Sequence, residues 1–325
     1  MKASASAILL VVLAVGAVAA AADLHRVQAQ TLVVYTTPAL KDVLEKDIIP
    51  RYEQATGERV DPVYVPAGEQ YNRLRMGGDR PEADVFLHAS PLYLEQGSHE
   101  GYFDAWSLPE GAQINATYRS DDPGATWYAF AWSPLVEVYG PRLGAAPDLA
   151  TAELKFGLAH PLLSNNGIYN VIYYEQVSPE AGRHALARTT VQPTNSRATI
   201  DGVADGSFDV TLGYEAVALL YEGKGARVEH DLPLLAGNRS LVPVLFVGGL
   251  VHGHPHADAE RFLQFLFTNQ TQGHLAKYFL RPTLPGAKPL ASGLDAQMAG
   301  LAPITYDWTR WQELEAKLPT YRVKT

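Results

Sequence analysis

Short β-rich runs alternate with stretches of helical periodicity along most of this chain, and that alternation limits it to few folds. TLVVY at 31–35, the run 60–65 and ADVFL at 83–87 read as strands. Between them, 41–56 places Val43, Leu44, Ile48 and Tyr52 at helical spacing before Gly57, and 69–76 reads as a helix ended by Gly77 and Gly78. Ser90, followed by Pro91, is a natural start for a third helix. Buried apolar strands separated by helices indicate a parallel α/β sheet covered on both faces. A second block repeats the pattern, with strands expected at 156–159, 208–212 and 226–229, and helices at 168–177, 199–205 and 215–222. Amphipathic helices are expected at 259–267 and 270–279, and a terminal one at 307–317.

Two long extended stretches bracket the second block. They are TWYAFAWSPLVEVY at 126–139 and LVPVLFVGGLV at 241–251. Pro134 in the middle of the first argues against one regular central strand. Segments of this kind suit crossings between two lobes.

The first 29 residues read as an export signal. Lys2 supplies the positive start, 7–22 is apolar, and small residues offer cleavage points at 20–22 and 27–29. The chain holds no cysteine, so packing alone must hold an exported fold. Thiol catalysis, cysteine metal sites and a lipid-modified cysteine are excluded with it. Without residues 1–29 the net charge is −10, and no basic run offsets it, which argues against nucleic acid as a partner. A free, monomeric periplasmic protein is the expectation.

Five segments in order carry a family resemblance: LVVYTT, RYEQATGERV, RPEADVFLHAS, VADGSFDVTLGYEA and HPHADAERFLQFLFTNQTQGHLAKY. Together they resemble the class II periplasmic solute-binding proteins of ABC importers, of the ferric-iron, phosphonate and sulfate type. The resemblance implies a periplasmic-binding-protein-like type II fold of two α/β lobes joined by hinge strands. It also implies a solute held in the cleft between them and handed to ABC permease subunits in the inner membrane. The expected division is 30–130 with about 245–285 as lobe 1, about 131–244 as lobe 2, and 286–325 as a C-terminal helical segment packed on both.

Ligands of open α/β sheets bind outside the carboxyl ends of the strands, where helix N-termini favour anions. That rule selects Thr36 and Thr37 before Pro38, His88 and Ser90 after ADVFL, the turn Ser164, Asn165, Asn166 and Gly167, and Tyr214 with Glu215. Trp127 and Tyr128 are candidate cleft aromatics, with hinge packing as their alternative role. The iron-binding relatives use a histidine in the first loop, a glutamate in the second and a tyrosine pair in the fourth. Here those places hold Thr36 and Thr37, then His88 to Ser90, then Tyr214 and Glu215, so few of the iron ligands survive. Tyr173 and Tyr174 adjoin within a helix and point apart. His252, His254 and His256 fall in an expected surface turn.

No metal or other cofactor is expected. G-x-S-x-G, H-E-x-x-H and P-loop patterns are absent, so an enzyme is not expected. The expected solute is a small oxyanion, carboxylate or phosphonate. The alternatives are ferric iron held by Tyr214 and Glu215, and a subunit that presents its solute to a membrane sensor.

Overall fold

The computed structural model describes residues 31–78, 81–109, 113–121, 124–253, 256–287 and 292–323. The expected export signal lies outside these residues, as does His254. Among them, no helix is long and apolar enough to cross a membrane.

β1 (Leu32–Thr36) leads into a helical run, α1 (38–56), which contains a π-helical stretch at Leu44–Ile48. Gly57 ends it in the left-handed region at φ 78°, its N–H returning to the Glu53 carbonyl. β2 (Val60–Tyr64), α2 (Ala67–Met76), β3 (Val85–His88), α3 (Leu92–His99) and β4 (Phe103–Asp104) follow. β1 pairs in parallel with β2 and β3, the buried runs of β1 and β3 lying inside the sheet and the partly exposed β2 at its edge.

β5 (Trp127–Tyr139) is one continuous strand, contrary to the expectation from Pro134. Its first part pairs antiparallel with β10 (Pro243–Val251), and its last part pairs with β6 and β7. Pro134 stands opposite Pro243, where β5 changes partners. A residue without an N–H is tolerated there because neither ladder needs its donor. The strand also bulges at Phe130, between the Phe246 and Val247 registers. The side chains of Gln272 and Thr283 donate to the Phe130 and Ala129 carbonyls beside the bulge.

The second block holds α4 (Asn165–Val177), α5 (Pro179–Ala187), α6 (Ser196–Ala204), β6 (Val210–Tyr214), α7 (Glu215–Gly223) and β7 (Glu229–Asp231). Where a strand was expected at 156–159, Phe156 makes only an isolated bridge to Val210. β8 (Leu234–Leu235) and β9 (Asn238–Arg239) form a small hairpin. After β10 come α8 (His256–Phe265), α9 (Asn269–His274), β11 (Arg281–Pro282), α10 (Asp295–Met298) and α11 (Trp311–Lys317). β10 lies between β5 and β3, so the main sheet runs β11-β5-β10-β3-β1-β2. The result is two α/β lobes. The front lobe is built on β1, β2, β3 and β10, the back lobe on β6, β7 and the end of β5.

Candidate functional site

Four helices of at least two turns begin at one place between the lobes. They are α2 after Pro66, α4 after Ser164, α6 after Asn195 and α7 after Tyr214. α2 and α7 follow the strands β2 and β6, while α4 and α6 follow irregular loops. All four N-cap residues line a single cleft, together with Thr37, Pro38, Ala67, Asn165, Asn166, Thr194 and Ser196. Among the described residues, no charged side chain lines it. The positive ends of four helices therefore set its electrostatics.

Asn195 Oδ1 caps α6 and Asn166 Nδ2 is bonded, but many other polar atoms around the cleft are bare. Buried and without a hydrogen-bond partner are Thr36 Oγ1, Ser164 Oγ, Asn165 Oδ1, Asn166 Oδ1, Ser196 Oγ and Tyr214 OH, while the Asn165 amide and His88 Nδ1 neighbour one another. Ser164 makes no side-chain capping bond, although it is the N-cap. Leaving a buried polar group unpaired costs about 1–3 kcal/mol. Folded proteins avoid that cost nearly everywhere, so such a cluster calls for an external partner.

Behind these atoms the front lobe is closely bonded. Gln70 Nε2 donates to the Thr36 carbonyl and, at 2.7 Å, to the Val65 carbonyl. Its amide orientation is therefore fixed, and Oε1 meets His88 Nε2 at 2.7 Å. Because Oε1 only accepts, Nε2 carries the proton and Nδ1 keeps its lone pair. Burial pulls the His88 pKa down to about 3, only partly offset by the neighbouring Asn165 side chain. His88 is thus neutral. Tyr214 packs edge-on against Phe246, and burial raises its hydroxyl well above the usual phenol range.

The lobes are closed on one another. Tyr93 OH donates to the Leu162 carbonyl at 2.8 Å. Gly68 sits so near Leu162 that a Cβ would lie 2.1 Å from its carbonyl oxygen, so only glycine fits there. Arg197 Nε donates to the Pro38 carbonyl at 2.7 Å, and the same guanidinium pairs with Asp42. Burial alone would raise the Asp42 pKa, but Lys46 and Arg197 outweigh it and hold it down at about 2. The space left in the cleft, ≈ 10 Å³, holds no more than a single water. A larger solute enters only when the lobes part.

The structure corrects several of the expected site residues. It brings Thr37, Ser164, Asn165, Asn166 and Tyr214 to the cleft, with Thr36 and His88 just behind. Ser164 to Gly167 is not a free turn, because α4 already begins at Asn165. Ser90 is buried, is not among the residues that line the cleft, and accepts from the Leu92 N–H at the start of α3. Trp127 and Tyr128 are packed elsewhere. Trp127 donates to Glu95 at 2.7 Å beside a separate cavity of ≈ 640 Å³ behind the hinge, and Tyr128 packs against Trp106. Glu215 is fully buried but turns inward to an ion pair with Arg281. Tyr214 and Glu215 therefore do not face one point. His252 pairs with Asp104.

The sequence reading missed Pro66, Asn195, Ser196 and Gln70. Asn195 and Ser196 had a signal: an N-cap pair in a polar run before a helical pattern, the same kind that marked Ser164. Gln70 had none, because its partners come from other segments.

This geometry defines a two-lobed binding-protein fold, and similar structures share it. The periplasmic binding protein AfuA from Actinobacillus pleuropneumoniae, solved with fructose-6-phosphate, superposes with a TM-score of 0.75 at 18% identity, over 89% of this chain and 96% of that one. Iron-bound HitA from Pseudomonas aeruginosa gives 0.72 at 16% identity, over 90% and 99%. The apo ferric ion-binding protein A of Pasteurella haemolytica gives 0.70 at 17%, over 89% and 96%. By sequence, the sulfate-binding protein of Synechococcus elongatus is 28% identical over 172 residues, which are 50% of this chain. The match spans about half of that relative, 47% of its length. Residues 32–281 match the bacterial extracellular solute-binding protein family, and the chain belongs to it.

Proposed function

We propose that this chain is the solute-binding component of an ABC-type importer and captures a small oxyanion-bearing solute between its lobes. On this reading it is exported to the periplasm, its first 29 residues are removed, and as a monomer it presents the closed form to permease subunits. Lobe 1 takes 30–130 with about 245–285, lobe 2 takes about 131–244, and 286–325 packs on both. One observation carries the reading: four helix N-termini and a set of unpaired buried hydroxyl and amide groups meet at an uncharged cleft. Neutral donors and helix dipoles bind an anion without the desolvation cost of a buried cation. The sulfate and sugar phosphate named for two of the similar proteins fit this chemistry.

Ferric iron fits less well. It favours several carboxylate and phenolate oxygens together. Here Tyr214 alone brings a phenol to the cleft, while Glu215 pairs with Arg281.

A thermal-shift panel of sulfate, phosphate, phosphonates, molybdate and ferric iron tests the proposal. A micromolar ligand at millimolar concentration stabilises the folded state by about 4 kcal/mol. Stabilisation by ferric iron alone, with a phenolate-to-metal absorption band, would overturn the oxyanion reading.

A further inference from the structure

The cleft has acceptors as well as donors, and their orientation is fixed. Asn166 Nδ2 donates to the Leu212 carbonyl at 2.8 Å. An amide nitrogen must face that carbonyl, so Oδ1 is held on the other side, buried and unpaired, in a residue that lines the cleft. A second acceptor follows from the front lobe. Val65 and Thr36 fix Gln70, Gln70 fixes the His88 proton on Nε2, and Nδ1 keeps a lone pair beside Asn165. If the Asn165 amide donates to that lone pair, its own Oδ1 is left bare. If it does not, Nδ1 is left bare. Either way Asn165 Oδ1 has no partner, so Asn165 and Asn166, which both line the cleft, present two bare acceptors.

A fully ionised oxyanion cannot satisfy them, since all its outer atoms are acceptors. Its oxygens would face amide oxygen lone pairs in a dry site. Resting on the oxyanion reading above, we infer that the cleft selects an oxyanion that also carries an O–H donor, such as hydrogen phosphate or a hydroxylated phosphate ester, over bare sulfate. The helix N-termini take the anionic oxygens, and Asn166 with the His88–Asn165 pair takes the hydroxyl. Discrimination of this kind is large because the wrong ligand leaves buried acceptors unpaired.

Isothermal titration of the mature protein at pH 7 with sulfate, inorganic phosphate and glycerol 3-phosphate tests the inference. Phosphate or glycerol 3-phosphate is expected to bind at least about tenfold more tightly than sulfate. In Asn166→Ala that ratio shrinks towards one. If this variant does not fold, Asn165→Ala gives the same readout, and the wild-type ratio stands by itself. Sulfate binding as tightly as either donor-bearing ligand overturns the inference and leaves the oxyanion reading intact. Binding of none of the three overturns both.

Discussion

The two walls of the cleft treat their polar groups differently. On the front wall, Gln70 ties the Thr36 and Val65 carbonyls to His88, and Ser90 is spent on the α3 amide. On the back wall, Ser164, Asn166, Ser196 and Tyr214 all keep a side-chain oxygen unbonded. The front wall is the more fully bonded of the two, with Thr36 Oγ1 and His88 Nδ1 still without a protein hydrogen bond, and the back wall leaves more of its oxygens bare. On the proposed function, the back wall is where a solute would gain most, with the front wall closing over it.

Substitutions should separate the walls by their effects on stability and affinity. The largest effect is expected beneath the back wall. Arg281→Met leaves Glu215 as an uncompensated buried charge and lowers unfolding stability by about 3–5 kcal/mol in urea titration. A loss under about 1 kcal/mol would mean that the back wall's charge is not sealed inside. Next is the front wall, where Gln70→Leu orphans two carbonyls and the His88 N–H and costs about 3 kcal/mol.

A pH series sharpens the same point. The His88 pKa is about 3 when folded and about 6.5 when unfolded. Between those values the unfolded chain binds a proton that the folded one does not. This contribution is complete above pH 6.5 and is lost by about 1.4 kcal/mol per unit as pH falls towards 3. His88→Gln should show a shallower slope over that window, and parallel slopes would refute the assignment.

The back wall should behave in the opposite way. Ser196→Ala removes an unpaired hydroxyl, so stability is unchanged or slightly higher while solute affinity falls about tenfold. A stability loss without an affinity loss would make Ser196 a packing residue. The smallest effect belongs to the interlobe pair. Arg197→Ala weakens closure and should reduce affinity about threefold, with a weaker salt dependence than wild type.

Much of the fold was legible because β1 and β3 are short runs rich in buried apolar residues and the helices beside them keep their period, while β2, with Asp61 and Pro62, is a partly exposed strand. What failed did so for tertiary reasons. Pro134 reads as a strand breaker until β5 is seen to change partners at that residue. The strand-end rule pointed to Thr37, Asn166 and Tyr214, which the structure brings to one cleft, because a polar residue at a helix start leaves a local trace. It also selected Glu215, whose inward turn depends on Arg281, a residue 66 positions away in sequence. Trp127 and Tyr128 have the composition of a binding site, but their neighbours Glu95 and Trp106 come from separate segments.

β5 serves both sheets, and this fixes an order of assembly. Its first half stays unpaired on one side until β10 arrives more than a hundred residues later. The same strand fills the gap beside β3. As the chain emerges, the segment from 140 to 242 can collapse on the end of β5 while the earlier half still has an open edge. A chain cut before residue 243 would keep one lobe nearly whole and leave the other with a sticky, aggregation-prone border.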